Sequence, residues 1–272
     1  MSNVDNIPEP TPNEHRLAYH KDLEDLRSKI LRLGAMTTEM IPQGTEVLLR
    51  GNLRDAEKVI RSDEAVNALA LEIEEQCYSI LALQAPMASE LRRIVAIIKL
   101  TAEIERSADL MVNVCKATRR MYGSTLTPRI RGVVGSMSKE AQKMMKLAID
   151  SFADRDADLA AALADIDDEL DELNRDMVEA VFEAAEAKSI GLAASVQLAL
   201  IARYYERIGD HAVNVGERVI YMVTGSLIDI NENNVDTMRE IDSSVQIADV
   251  VAPVGHIETP VENPDPPEGD DD

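Results

Sequence analysis

Glu105, Asp109 and Asn113 stand four residues apart, and Glu206, Asp210 and Asn214 repeat the spacing at a constant offset of 101 residues. On a helix, residues at i, i+4 and i+8 stack along one face, with neighbouring Cβ atoms about 5–6 Å apart. Two carboxylates so placed repel each other, so an arrangement that occurs twice calls for a compensating gain. A cation supplies one: clustered oxygen donors suit hard ions such as Mg²⁺, Ca²⁺ and Mn²⁺, or iron. One helix face provides two or three oxygens, and a neighbouring helix must complete the set. Asn67 and Glu74 are candidates in the first half, Asp167 and Asp171 in the second. The competing reading is a solvated face. Arg106 and Arg207 flank the carboxylates, and Glu–Arg pairs are common on exposed helices. His211 follows Asp210, but its counterpart is Leu110, so it is expected to be a partly exposed histidine rather than a shared ligand.

The elements that must position these residues are helices. Aromatics make up 3% of the 272 residues and tryptophan is absent, so the core has to be aliphatic. Apolar residues recur at three- and four-residue steps from about Glu14 to Met40, where Pro42 and Gly44 predict a break. A second stretch is expected over about Thr45–Ile60. Ser62 or Asp63 would cap a further helix through Leu83. After Pro86 a long helix, about Met87–Tyr122, is predicted to stop at Gly123. The second half follows the same plan. Thr127-Pro128 reads as a cap and a first-turn proline. One helix runs to about Phe152, the next over Asp156–Ala187, and the third over Ile190–Thr224, ending at Gly225. The expected fold is all-α: two tandem three-helix bundles related by internal duplication. Residues 14–123 form one repeat and 124–225 the other. Residues 1–13 and the acidic, Pro-rich stretch 226–272 are expected to be disordered tails.

The net charge of −22 opposes binding to nucleic acid, which needs cations against phosphate. The charge is uneven: from Ser226 onward thirteen acidic residues face one basic residue, Arg239. Cys77 and Cys115 make no disulfide framework and fit helix interiors, in keeping with a reducing compartment. No signal peptide is evident, and the most apolar run, IVAIIKL, is too short to span a bilayer. A cytoplasmic protein without direct membrane insertion is expected. The four histidines supply no Glu-x-x-His pair of a ferritin-like di-iron site. There is also no nucleophile elbow, P-loop or dinucleotide fingerprint. No catalytic constellation emerges, and the chain is not expected to be an enzyme.

The stretch YYERIGDHAVNVGE resembles the E-R-I-G-D-x-x-x-N signature of the PhoU family of bacterial phosphate-uptake regulators. LQAPMASELRRIVAIIKLTAEIERSAD is similar to the family's first-repeat stretch, including the A-S-[DE]-L-R start at Ala88, and VNALALEIEEQC is similar to its preceding helix. The resemblance extends over about residues 14–225. It implies two three-helix bundles, usually as a homodimer. It also implies divalent or ferric ions (Fe, Zn, Mn or Mg) held through the repeated carboxylate faces, which fall here on Glu105, Asp109, Glu206 and Asp210. The implied function is that of a signalling adaptor. It links a phosphate ABC transporter to a sensor histidine kinase, and represses phosphate-starvation genes and phosphate uptake when phosphate is plentiful. The first repeat departs from the signature, with Ala108 where the second has Gly209. A metal-dependent hydrolase or oxidase built on the carboxylate faces is the alternative, and a purely structural helical module is a third reading.

Overall fold

A computed structural model describes residues 12–226, so the expected tails, apart from their innermost residues, lie outside the described residues. Seven helices follow in order among the described residues: α1 (Pro12–Arg50), α2 (Leu53–Gln84), α3 (Ser89–Arg120), α4 (Pro128–Asp154), α5 (Ala157–Ala161), α6 (Leu163–Glu186) and α7 (Leu192–Thr224). No strand occurs among them. Helices α1, α2 and α3 pack against one another as one three-helix set, and α4, α6 and α7 as the second, with α5 against α7. The sets meet where α3 packs on α7 and α1 on α4, the α3–α7 pair being the most extensive in the fold. Glu103 of α3 reaches His211 of α7, and Arg120 reaches Gln197. The two helices therefore run antiparallel.

Helix ends follow local chemistry. The Thr127 hydroxyl accepts from the Ile130 amide at 3.3 Å, and Pro128 follows at the first helical position, where its missing N–H loses no bond. Asp156 caps α5 by accepting from the amides of Asp158 and Leu159. Gly225 closes α7 with φ of 82°, a left-handed conformation that glycine adopts without a Cβ penalty.

Three expectations about continuity are corrected. Pro42 and Gly44 do not break α1, which runs unbroken from Pro12 to Arg50. Pro42 has no N–H for the carbonyl of Thr38 four residues back, and Gln142 of α4 brings its side-chain nitrogen within 3.5 Å of that oxygen. Gly44 faces α3 so closely that a Cβ would sit 2.5 Å from the Met111 methyl. Tertiary packing thus holds a segment that propensity alone would interrupt. Second, Ser62 and Asp63 cap nothing. They lie inside α2, whose cap is Asn52, its side-chain oxygen accepting from the amides of Arg54 and Asp55. Third, the stretch from Asp156 to Ala187 is two helices. The chain breaks at Ala162, where Gly216 of α7 comes so near that a Cβ would meet the Ala160 carbonyl at 2.8 Å.

The core is aliphatic and continuous across both sets. Leu26, Ile30, Ile73, Ile97, Leu100 and Ile104 are fully buried in the first, and Met144, Met177, Leu198 and Ile208 in the second. One polar knot ties the halves together. The Tyr205 hydroxyl lies 2.6 Å from Thr45 Oγ1, which also donates to Ser138, joining α7, α1 and α4 in the interior. Satisfied buried hydroxyls of this kind fix the register between helices that apolar contacts alone would leave free to slide.

Candidate functional site

Each repeated phrase lies on the last long helix of its set and faces the helix before it. In the first set Glu105 is half-buried and Asp109 is exposed on α3. Asp63, buried on α2, feels the charge of Asp109, and its own charge is felt at Glu105. Burial pushes the Glu105 carboxyl up, and the charges of Asp109 and Asp63 push it further, with Glu74 adding to them. Asp63 is raised for the same reasons, burial first and Asp109 next, against a hydrogen bond from Asn67 at 3.1 Å. Its other oxygen, Oδ1, is buried without a partner. Beside them Asn67, Glu74, Thr101 and Glu105 line a groove of about 220 Å³ between α2 and α3.

The second face is more enclosed. Glu206 is buried, with Oε1 paired to Arg203 and Oε2 unpartnered. Asp210 is half-buried and stands near Asp167 and Asp171 of α6. Burial, then the charges of Asp171, Asp210 and Asp168, push the Asp167 carboxyl up to about 7. Burial and Asp210 raise Asp171, while Arg175 and Arg203 oppose the rise. Asp167 Oδ1 is buried without a partner and lies 2.3 Å from where a Cβ on residue 209 would be. Gly209 therefore gives this carboxylate room against α7.

Among the described residues no three His, Cys, Asp or Glu side chains are already drawn together as a ligand set. The chemistry of the donors nevertheless fits a hard cation. Each face gathers carboxylates from two helices, each has a buried oxygen without a hydrogen bond, and in each like charge and burial disfavour ionisation. A cation would relieve all three conditions. In the first set Glu105, Asp109 and Asp63 would supply oxygens, and in the second Glu206, Asp210, Asp167 and Asp171.

The asparagines behave differently. Asn113 is half-buried on α3. Asn214 turns to the α3–α7 interface, where its side-chain nitrogen donates to Glu103 Oε2 at 3.2 Å. His211 shares that oxygen, with Nδ1 2.6 Å away. It is buried at 6% exposure, which corrects the expectation of a partly exposed side chain. Burial works against ionised Glu103, but the hydrogen bonds from His211 and Asn214 outweigh it and hold the carboxyl below its ordinary range. Glu103 thus straps α3 to α7 beside both faces, two residues before Glu105 and paired with the neighbour of Asp210. The flanking arginine of the first face, Arg106, pairs with Glu103 at 3.2 Å rather than with Glu105.

Sequence reasoning missed Asp63 and Glu103 as members of the site. Asp63 left a trace: it falls in phase with Val59, Val66 and Ala70, all buried, so a carboxylate occupies an apolar stripe. Glu103 left none, because its partners lie more than a hundred residues away. Cys77 and Cys115 are fully buried, and burial raises both thiols to about 12, which makes them packing groups rather than nucleophiles.

The model of the PhoU domain matches this chain twice, over residues 30–118 and 134–219, each match holding one carboxylate phrase. The phosphate-specific transport system accessory protein PhoU homolog 1 of Mycobacterium tuberculosis is 35% identical over 213 residues, 78% of this chain and 96% of that protein. The crystal structure of PhoU from Pseudomonas aeruginosa superposes with a TM-score of 0.71 at 31% identity, covering 76% of this chain and all of that one. The phosphate transport system regulatory protein PhoU from Streptococcus pneumoniae gives a TM-score of 0.71 at 25% identity, covering 78% of this chain and 99% of that one. The first of these relatives is described as an accessory protein and the last as a regulatory protein. Two matched repeats, the shared helical architecture and the doubled E-R-x-x-D phrase lead to one assignment: the chain belongs to the PhoU family.

Proposed function

We propose that this protein is a phosphate-signalling adaptor, a negative regulator of the phosphate-starvation response and of phosphate uptake. It works in the cytoplasm by contact, as a homodimer, between a phosphate ABC transporter and a sensor histidine kinase. The observation that carries the reading is the doubled carboxylate face, set on two antiparallel helices of a chain whose relatives are accessory proteins of phosphate-specific transport. No helix among the described residues is long and apolar enough to cross a membrane, so contact with a transporter would be made from its surface. Divalent or ferric ions on Glu105, Asp109, Glu206 and Asp210, with Asn113 and Asn214 alongside, would invert the local potential. Each face would then accept a carboxylate or phosphate from a partner.

The test is a deletion strain complemented with wild type or with Glu105, Asp109, Glu206 and Asp210 all changed to Ala. Wild type restores repression of starvation genes in phosphate-rich medium, and the quadruple variant folds, loses metal by elemental analysis and fails to repress. Full repression by a folded, metal-free quadruple variant overturns the role given to the faces. Metal-dependent turnover of a small substrate, lost in that variant, overturns the adaptor reading in favour of an enzyme.

A further inference from the structure

Away from the acidic faces the fold gathers arginines. A cavity of about 530 Å³ opens where the start of α3 meets α1, the end of α4 and the end of α7, lined by His20, Glu24, Ser89, Arg93, Arg155 and Met222. Arg93 precedes Glu105 by about 18 Å of helix at 1.5 Å per residue, which separates this cavity from the first carboxylate face. Arg27 stands behind it, donating to the Ala153 carbonyl at 3.0 Å; burial and the charge of Arg155 weigh most against the Arg93 guanidinium, Glu24 opposes them, and Arg27 adds a smaller push. Among the described residues none of Arg27, Arg93 and Arg155 has a carboxylate oxygen within 4.0 Å of its nitrogens. Two arginines thus line one cavity and a third stands behind it, none of them tied to a carboxylate by a direct ion pair, in a chain of net charge −22.

Two further features point the same way. Arg155 ends α4 with φ of 55°, a left-handed position where glycine is the usual residue. A long cationic side chain held in that conformation at the mouth of a cavity is backbone strain located where a ligand would be gripped. The start of α3, at Ser89 and Glu90, borders the cavity without a side-chain cap, because its N-cap residue is Ala88, so the positive end of the helix dipole lies there. Two carboxylates also line it, Glu24 and Glu90. They would repel a fully deprotonated anion but accept a hydrogen bond from one that keeps a proton.

From these residues we infer that the cavity between α1, α3, α4 and α7 is a binding site for inorganic phosphate, with Arg93 and Arg155 on its oxygens and a glutamate on its P–OH. Both forms of inorganic phosphate present near neutral pH retain a P–OH, whereas sulfate has no proton to donate. Arginine supplies the planar fork that oxyanions favour, and the glutamate supplies the discrimination. The protein would then read phosphate directly, apart from its carboxylate faces. The choice of phosphate as ligand rests on the phosphate-signalling function proposed above.

Equilibrium dialysis of the full chain with radiolabelled inorganic phosphate, and with sulfate as competitor, tests the site. The expected result is saturable binding of one phosphate per chain, with sulfate competing at least tenfold more weakly. Arg93→Gln and Arg155→Gly each weaken phosphate binding at least tenfold, and Glu24→Gln narrows the gap between phosphate and sulfate. Arg155→Gly keeps the test decisive should Arg93→Gln fail to fold, because glycine suits φ of 55° and removes only the side chain. Lack of saturable binding at ~10 mM phosphate, well above a millimolar dissociation constant, overturns the inference. So does binding unchanged in Arg155→Gly, or equal binding of sulfate. The assay needs no cell, so a negative result removes the phosphate site while the strain comparison judges the regulatory function separately.

Discussion

Changing Asp167 to Asn in metal-free protein should raise stability at alkaline pH and do little in acid. In the folded state burial and three neighbouring aspartates lift this carboxyl from 3.8 to about 7. The native state therefore holds the proton more tightly than the unfolded chain. That advantage is complete below the unfolded value and is lost as pH rises through about 7. At 1.36 kcal/mol per pH unit the interval corresponds to ~4 kcal/mol. Counter-ions, and the unpaired amide left by Asn, reduce the expected gain to about 2 kcal/mol. Urea unfolding in EDTA at pH 8 should then show a midpoint about 1 M higher for Asp167→Asn than for wild type, using an m-value of about 2 kcal/mol/M. At pH 4 the two curves should nearly coincide. Saturating Mn²⁺ should reverse the order at pH 8, because a ligand of the native state stabilises only the protein that binds it. A difference that does not change with pH, or a variant less stable than wild type in EDTA at pH 8, would refute the account of Asp167 as a charge-crowded, half-buried carboxylate.

Gly209→Ala should lower stability by about 1–2 kcal/mol, although alanine is worth about 1 kcal/mol in an open helix. Its Cβ would collide with Asp167 Oδ1 and Leu170, and thermal unfolding reads the sign. Glu103→Ala leaves buried His211 without its partner and should cost about 2–3 kcal/mol at neutral pH by chemical denaturation. Because the Glu103 carboxyl is held below its ordinary 4.5, the stability it contributes is present above that pH and lost as pH falls through the native value, so the variant and wild type should converge in acid. Pro42→Ala restores an amide to the Thr38 carbonyl and should stabilise by about 1–3 kcal/mol, and any loss in the urea midpoint would contradict the reading of α1.

What the sequence discloses of this fold is what neighbouring residues decide among themselves. Thr127-Pro128, Asp156 and Gly225 are legible because a cap or a left-handed glycine depends on atoms a few bonds away. Continuity of α1 is not legible, because it depends on Gln142 and Met111 from other helices. Asp63 misleads in the same way. Beside Ser62 it reads as a helix start, yet Asn52 has already begun the helix and Asp63 faces Asp109 instead. The candidate site divides along the same line. Glu105, Asp109, Glu206 and Asp210 stand out because their spacing repeats within one chain. Glu103 reaches His211 and Asn214 across more than a hundred residues, and no local pattern encodes that pairing.

The antiparallel packing of α3 against α7 bears on the history of the chain. Each helix is the last long one of its repeat, so the joint between the halves is formed by like against like, as when two copies of a single repeat associate about a twofold axis. In such an ancestral pair every substitution arrives twice, and both copies keep the same residue. Once the genes are joined, each half mutates alone. Gly209, which leaves room for Asp167, has Ala108 as its counterpart in the other half, and His211 has Leu110. Fusion thereby turns one self-complementary surface into two that natural selection can tune separately.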